Sequence, residues 1–296
     1  MLKNFTIETL ECLIADGNFP HRINALLQYA GQANVSELLI LLVTLSPINR
    51  INHPSNSFIR IRKEFYEQVS RCNILQKIVD AMCSPGNHLP PASYLSADHY
   101  ASACTQLFCD FIEKLSLDEN SEQILQPLGQ SSKLIDTLVS GGLDESRSDM
   151  IQNACLKSLC FLIKLSADPE VVVFNALPTG FTLVPTSVPS VLHPLHNRMI
   201  SYLEAKVPLV LDALIDPAQL KNQNIIKHPG YSVEVPFTWK RILLLEVIVR
   251  LVESKSSICS YISADHWQIL LRWIIDYAHN SMFHALFYKL LIVVLK

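Results

Sequence analysis

After Arg241 the stretch Ile242-Leu243-Leu244-Leu245-Glu246-Val247-Ile248-Val249-Arg250-Leu251-Val252-Glu253 is apolar everywhere except at Glu246, Arg250 and Glu253. Those charges fall at i, i+4 and i+7, so a helix here has one thin polar edge, along which Glu246 and Arg250 can pair. Pro236 and Thr238 stand where such a helix would start. A helix apolar around most of its circumference has to lie between other helices. The rest of the chain must therefore supply neighbours on several sides of this segment.

Internal similarity suggests how. Residues 103–112 (Ala103, Cys104, Leu107, Phe108, Cys109 and Ile112 among them) align with residues 154–163 (Ala154, Cys155, Leu159, Cys160, Ile163) at a shift of 51 residues. Each segment is followed within a few residues by Leu-Ser, and each has a shorter helical pattern before it, at 73–83 and 131–140. Ser263-Ala264-Asp265-His266-Trp267 echoes Ser96-Ala97-Asp98-His99-Tyr100. Helical units repeating every ~40–50 residues are the mark of armadillo and HEAT arrays, in which each unit buries its face on the next. We read the chain as all-α, a single armadillo/HEAT-like α-solenoid of about five irregular repeats over residues 1–296. Composition agrees: 49% of residues are apolar and 17% charged, enough for a large core and far from a disordered profile, and alternating strand patterns are scarce.

Helices are expected at about 4–15, from Asn18 to Gly31, after a cap at Asn34 or Ser36, at about 58–70, 73–83 and from Asp98 to Leu115. A polar loop is expected at 46–57. Proline-rich stretches near 84–97, 167–190 and 216–235 read as irregular insertions. One helix should run from Leu195 to Ile215 with a kink at Pro208, whose missing N–H breaks the ladder. A short helix near 257–262 and two at about 265–278 and 281–295 close the chain. Because the last is still apolar at Leu290–Leu295 and solenoid ends need polar caps, a further repeat is expected after it.

The net charge of −3 and the lack of basic runs argue against nucleic acid or an anionic membrane as partner. The longest apolar runs, Leu38–Val43 and Leu290–Leu295, are far short of the ~20 residues that span a bilayer. Eight cysteines (Cys12, Cys72, Cys83, Cys104, Cys109, Cys155, Cys160, Cys259) lie mostly in apolar helical stretches, as free thiols of a cytoplasmic or nuclear protein do. The pairs 104/109 and 155/160 would point ~140° apart on a helix, a poor geometry for zinc. His279 and His284 share that spacing, and His193 and His196 flank a proline. No phosphate-binding glycine loop, Gly-x-Ser-x-Gly or His-Glu-x-x-His occurs. No catalytic residue, metal or cofactor is assigned, and the chain is read as a non-enzyme.

Several segments resemble the SAPS-domain family, the regulatory subunits of protein phosphatase 6 and its relatives. Pro236, Arg241 and Glu246 match that family's Pro-Leu-Gly-Asn-x-Arg-Leu helix and the acidic or basic position after it, with Thr238 and Trp239 replacing Gly-Asn. Tyr277, Asn280 and His284 match its Tyr-x-Trp-Asn-Asn-Phe-Leu-His, with His279 and Ser281 replacing Trp and the second Asn. Residues 106–112 are similar to its Gln-Thr-Leu-Cys-Asp-Ile-Ile, and 19–42 to the segment that opens its core. The matches keep their order along nearly the whole chain. The resemblance implies a helical scaffold that binds a serine/threonine phosphatase catalytic subunit and, in many members, an ankyrin-repeat subunit. Arg241, Glu246, Tyr277, Asn280 and His284 are the partner-binding candidates it supplies. Read from the residues alone, Asn280 and Ser281 are helix-capping positions, and Tyr277 and His284 are equally buried polar groups. The alternative function is an armadillo-type adaptor for another complex, in trafficking or morphogenesis.

Overall fold

The computed structural model describes residues 7–14, 17–44, 56–89, 95–118, 121–176, 183–216, 226–228, 231–233 and 237–295. Among them the chain is all-α apart from two small hairpins. The helices are α1 (Ile7–Ile14), α2 (Phe19–Gln28), α3 (Ala33–Thr44), α4 (Asn56–Arg71), α5 (Ile74–Cys83), α6 (Ala97–Ser116), α7 (Glu122–Leu125), α8 (Pro127–Gln130), α9 (Lys133–Leu143) and α10 (Asp149–Ala167). They continue as α11 (His196–Glu204), α12 (Val207–Ile215), α13 (Trp239–Ser254), α14 (Ala264–Asp276) and α15 (Ser281–Val294). The strands are β1 (Glu170–Ala176) with β2 (Leu183–Pro189), and β3 (Ile226–His228) with β4 (Tyr231–Val233), each pair antiparallel.

The helices pack in two rows that follow chain order. In one, α3 contacts α6, α6 contacts α10, α10 contacts α13 and α13 contacts α15. In the other, α5 contacts α9, α9 contacts α11, and α12 contacts α14. Rungs between the rows are α5 on α6, α9 on α10 and α12 on α13. One continuous core runs from Phe19 to Leu290. In α5–α6, α9–α10 and α12–α13 a shorter helix packs on the longer one that follows it, and α13 lies inside the core as its apolar circumference requires. Every residue of α13 from Lys240 to Val252 is buried except Glu246 and Arg250. Its cap is Thr238, whose side chain accepts from Arg241 N at 3.3 Å; the expected opening proline, Pro236, lies outside the described residues.

Both internal similarities have local causes. In α6 and α10 the aligned cysteines, Cys104, Cys109, Cys155 and Cys160, are all buried. Each helix carries Leu-Ser in its last turn, the serine hydroxyl donating to a carbonyl three residues back: Ser116 to Glu113 O (2.8 Å) and Ser166 to Ile163 O (3.0 Å). The five-residue echo is a shared cap. Ser96 accepts from His99 N and lies 2.8 Å from its Nδ1; Ser263 does the same with His266, at 2.7 Å. At Ser263 the backbone N–H also donates to His266 Nδ1 at 3.1 Å, so histidine there takes the place usually filled by Glu or Gln in a capping box.

Four expectations are corrected. The segment from Leu195 to Ile215 is two helices, α11 and α12, broken at Ala205–Lys206, and Pro208 sits in the first turn of α12. A proline there lacks only an N–H that has no helical partner anyway, so it starts a helix where a kink was expected. The stretch 167–190 is not irregular: Glu170–Ala176 pairs with Leu183–Pro189 from Glu170↔Pro189 to Ala176↔Leu183. Consecutive β-branched Val171, Val172 and Val173 favour the strand, and in a two-stranded ribbon Pro185 and Pro189 can turn their missing N–H to an open edge. Likewise 216–235 contains the hairpin β3–β4. The third helix starts at Ala33, ahead of both proposed caps, and Ser36 instead donates to Ala30 O at 2.6 Å. The expected loop at 46–57 lies almost wholly outside the described residues, as do Pro90 and Pro91 of the first insertion, whose start is a 3-10 turn at Pro85–Asn87. Among the described residues no helix is long and apolar enough to cross a membrane.

Candidate functional site

Helix α13 presents two different environments, and the five candidate residues divide between them. At its N-terminal end Arg241 is only 1% exposed. Its guanidinium carbon lies 4.8 Å from the Trp273 ring centroid and 6.0 Å from that of Phe237, and Nη2 donates to Asp216 O at 3.1 Å. Phe237 is the hub of this cluster, meeting Tyr277 at 4.9 Å, Phe283 at 5.0 Å and Trp273 at 5.3 Å between centroids. Edge-to-face pairs of this kind set ring against ring with little freedom. Burial pushes the Arg241 pKa down from its ordinary value, opposed by the neighbouring Tyr277; burial likewise pushes the Tyr277 hydroxyl up.

The cluster holds α13, α14 and α15 together. Arg241 is buried, with its charge facing the rings of Trp273 on α14 and Phe237 instead of water. Tyr277 is half-buried against Phe237. Asn280 caps α15, its Oδ1 accepting from Phe283 N at 3.0 Å. His284 rests on Phe283 at 5.7 Å and on Tyr288 at 6.3 Å.

Glu246 points elsewhere, five residues and ~140° around the helix from Arg241. It is half-buried and forms an ion pair with Arg250. Arg250, Glu253 and Ser254 line a cleft of about 450 Å³ whose opposite wall is Ile163, Lys164, Ala167 and Asp168 of the α10 end, with His196 of α11. Glu253 is bridged to Lys289 of α15 at 2.9 Å. Sequence reasoning found the α13 edge of this cleft but not its other wall. Lys164, Asp168 and His196 carry no mutual spacing that a motif search would register; only the packing of α10 on α13 brings them together.

His196 of the cleft wall makes a contact with the buried Ser166, Oγ to Nδ1 at 2.8 Å. It is not a nucleophile pair. The Ser166 hydroxyl is fully buried and donates its single proton to Ile163 O, so it accepts from His196 Nδ1–H. His193 donates from Nδ1 to Ser166 O at 3.0 Å and stacks on His196. The two imidazoles thus tie α11 to the last turn of α10. Burial, and then His193, push the His196 pKa down. Among the described residues no group of three His, Cys, Asp or Glu side chains could hold a metal ion.

A third feature lies on the outer side of α14 and α15, where Leu271, Ile275, Met282, Tyr288, Ile292 and Leu295 are exposed, Ile275 by 80% and Leu295 by 82%. Apolar side chains at this density on adjoining helices mark an interaction surface more often than a free one. No protein-family model matches this chain, and no curated protein is significantly similar to it.

Proposed function

We propose that this protein is a SAPS-like, non-catalytic regulatory or scaffolding subunit that binds a protein phosphatase 6-like serine/threonine phosphatase catalytic subunit. The observation that carries this reading is the order-preserving resemblance of the segments in α6, α13 and at the α14–α15 turn to successive motifs of that family. The two chain-ordered rows of helices support a solenoid, the architecture on which such a scaffold is built. The partner surface of this reading is the polar cleft lined by Arg250 and Glu253, with Glu246 paired to Arg250 beside it, together with the exposed apolar residues of α14 and α15. An ankyrin-repeat protein is the expected third member, and the cytoplasm the expected compartment. The departures at Thr238, Trp239, His279 and Ser281 favour one second reading, an armadillo-type adaptor for another intracellular complex.

Affinity purification of the chain, with quantification of what co-purifies, tests this. A phosphatase catalytic subunit recovered in near-equal amount supports the first reading, and coat or polarity proteins recovered in its place support the second. The surface is tested by Ile275→Asp with Tyr288→Asp, two exposed positions whose replacement leaves the core untouched. The double variant should keep its melting temperature and lose the phosphatase; unchanged recovery would place the contact elsewhere.

A further inference from the structure

Two of the eight thiols, in different helices, meet inside the core. Cys83 Sγ, on the last residue of α5, lies 3.4 Å from Cys155 Sγ in α10. The Cys83 thiol is also 3.8 Å from Thr137 O of α9, as donor. Its single proton committed there, Cys83 accepts the S–H of Cys155. The meeting point is made by a glycine: a Cβ at Gly141 of α9 would stand 2.8 Å from Cys155 Sγ and 2.9 Å from Cys83 Sγ. Glycine inside a helix costs ~0.5–1 kcal/mol relative to alanine, and here its missing side chain is the space the two sulfurs occupy. Arg147 closes the site from the outside, donating from Nη1 to Cys83 O and from Nε to Asp144 Oδ2 at 2.9 Å.

We propose that Cys83 and Cys155 are a peroxide-sensitive thiol pair that closes reversibly into a disulfide between α5 and α10. Cys83 is the attacking residue and Cys155 the resolving one. Cys83 stands at a helix end and is 5% exposed, whereas Cys155 is 0% exposed, so an oxidant entering beside Arg147 meets Cys83 first. The hydrogen bond from Cys155, aided by the Arg147 charge, lowers the Cys83 pKa in spite of burial; the same hydrogen bond and burial raise that of Cys155. The Cys83 thiol gives up its proton, the thiolate attacks one oxygen of hydrogen peroxide, the O–O bond breaks, and Cys83 becomes a sulfenic acid while the departing hydroxide takes up that proton and leaves as one water. The Cys155 sulfur then attacks the Cys83 sulfur, the S–O bond breaks, and the hydroxyl leaves with the Cys155 proton as a second water. Two thiols are oxidised, one peroxide is reduced, and the sulfurs close by ~1.4 Å to the ~2.05 Å of a disulfide. The other buried thiols, Cys72, Cys104, Cys109 and Cys160, have their pKa values pushed up by burial, which holds them as inert thiols.

The full chain is treated with dilute hydrogen peroxide, its remaining thiols are alkylated under denaturing conditions, and the peptides are mapped by mass. The expected first disulfide joins the Cys83 and Cys155 peptides, with the loss of two hydrogens, and dithiothreitol reverses it. In Cys155→Ala the sulfenic acid should persist at Cys83 and be captured by dimedone; in Cys83→Ala, Cys155 should stay reduced. If Cys83 and Cys155 of the wild-type chain are both recovered alkylated at peroxide doses that oxidise the exposed Cys12, or if the first disulfide joins other cysteines, the proposal is overturned. The wild-type map decides this even if a variant fails to fold.

Discussion

Arg241 is a charge sealed among rings, and its removal separates the worth of that charge from the worth of its volume. Replacing it with methionine forfeits the contact to Trp273, ~2 kcal/mol for a desolvated cation–π pair, and the hydrogen bond to Asp216 O, ~1.5–3 kcal/mol for a bond to a charged group. Against this stands the cost of burying a guanidinium whose Nε and Nη1 have no protein partner, several kcal/mol per ion. The two sides nearly cancel, so Arg241→Met should lie within ~1 kcal/mol of wild type. Arg241→Ala additionally removes the aliphatic stem from between Phe237 and Trp273; at ~0.8 kcal/mol per buried methylene plus the cavity, it should be ~3 kcal/mol less stable than the methionine variant. Urea unfolding of the three proteins, followed by circular dichroism and compared at constant m-value, measures both differences. Equal losses in the two variants would refute the reasoning, because they would mean that the polar contacts and not the packing hold α13 to α14.

Three further outcomes are expected. Asn280→Ala removes the cap of α15 and should cost ~1 kcal/mol, read as a lower melting temperature, with Asn280→Asp largely restoring it. His196 resists protonation in the fold, whereas the unfolded chain binds that proton near pH ~6.5. Its contribution to stability is therefore fully present above that value and is lost as pH falls through the lower folded pKa; the melting temperature of His196→Asn should fall less steeply on acidification than that of wild type. Gly141→Ala should destabilise by ~1–3 kcal/mol despite better helix propensity, because its methyl meets both Cys83 and Cys155 sulfurs, and combining it with Cys155→Ala should recover part of the loss in a double-mutant cycle.

Where burial alone decides, the residues are readable. The polar edge of α13, the similarity of α6 to α10 and the serine caps at Ser96 and Ser263 all follow from periodicity and short-range hydrogen bonding. Pro208 was misread because a proline starting a helix and one bending it differ only in what precedes them, here the break at Ala205–Lys206. The ribbon at Glu170–Pro189 was hidden by prolines that a central strand would refuse and a two-stranded ribbon accepts. The resemblance singles out Arg241 without showing its surroundings: Phe237 is four residues before it, but Trp273 is 32 residues further on, and only packing of α14 against α13 brings that ring over the guanidinium. The cleft wall of Lys164, Asp168 and His196 leaves no local trace at all, being assembled by tertiary packing.

The hairpin β1–β2 has a consequence for how this chain can vary. Ser190 N donates to Pro169 O at 2.9 Å, and Val191 N donates to Ser116 O at 3.0 Å, so the excursion leaves and rejoins the helices at a closed neck. The entropy of closing a loop grows only as the logarithm of its length. Whatever hangs beyond that neck can lengthen, shorten or be exchanged at small thermodynamic cost while α10 and α11 keep their register. The neck is therefore a natural port at which a foreign sequence, or a tag for the purification described above, can be inserted between α10 and α11.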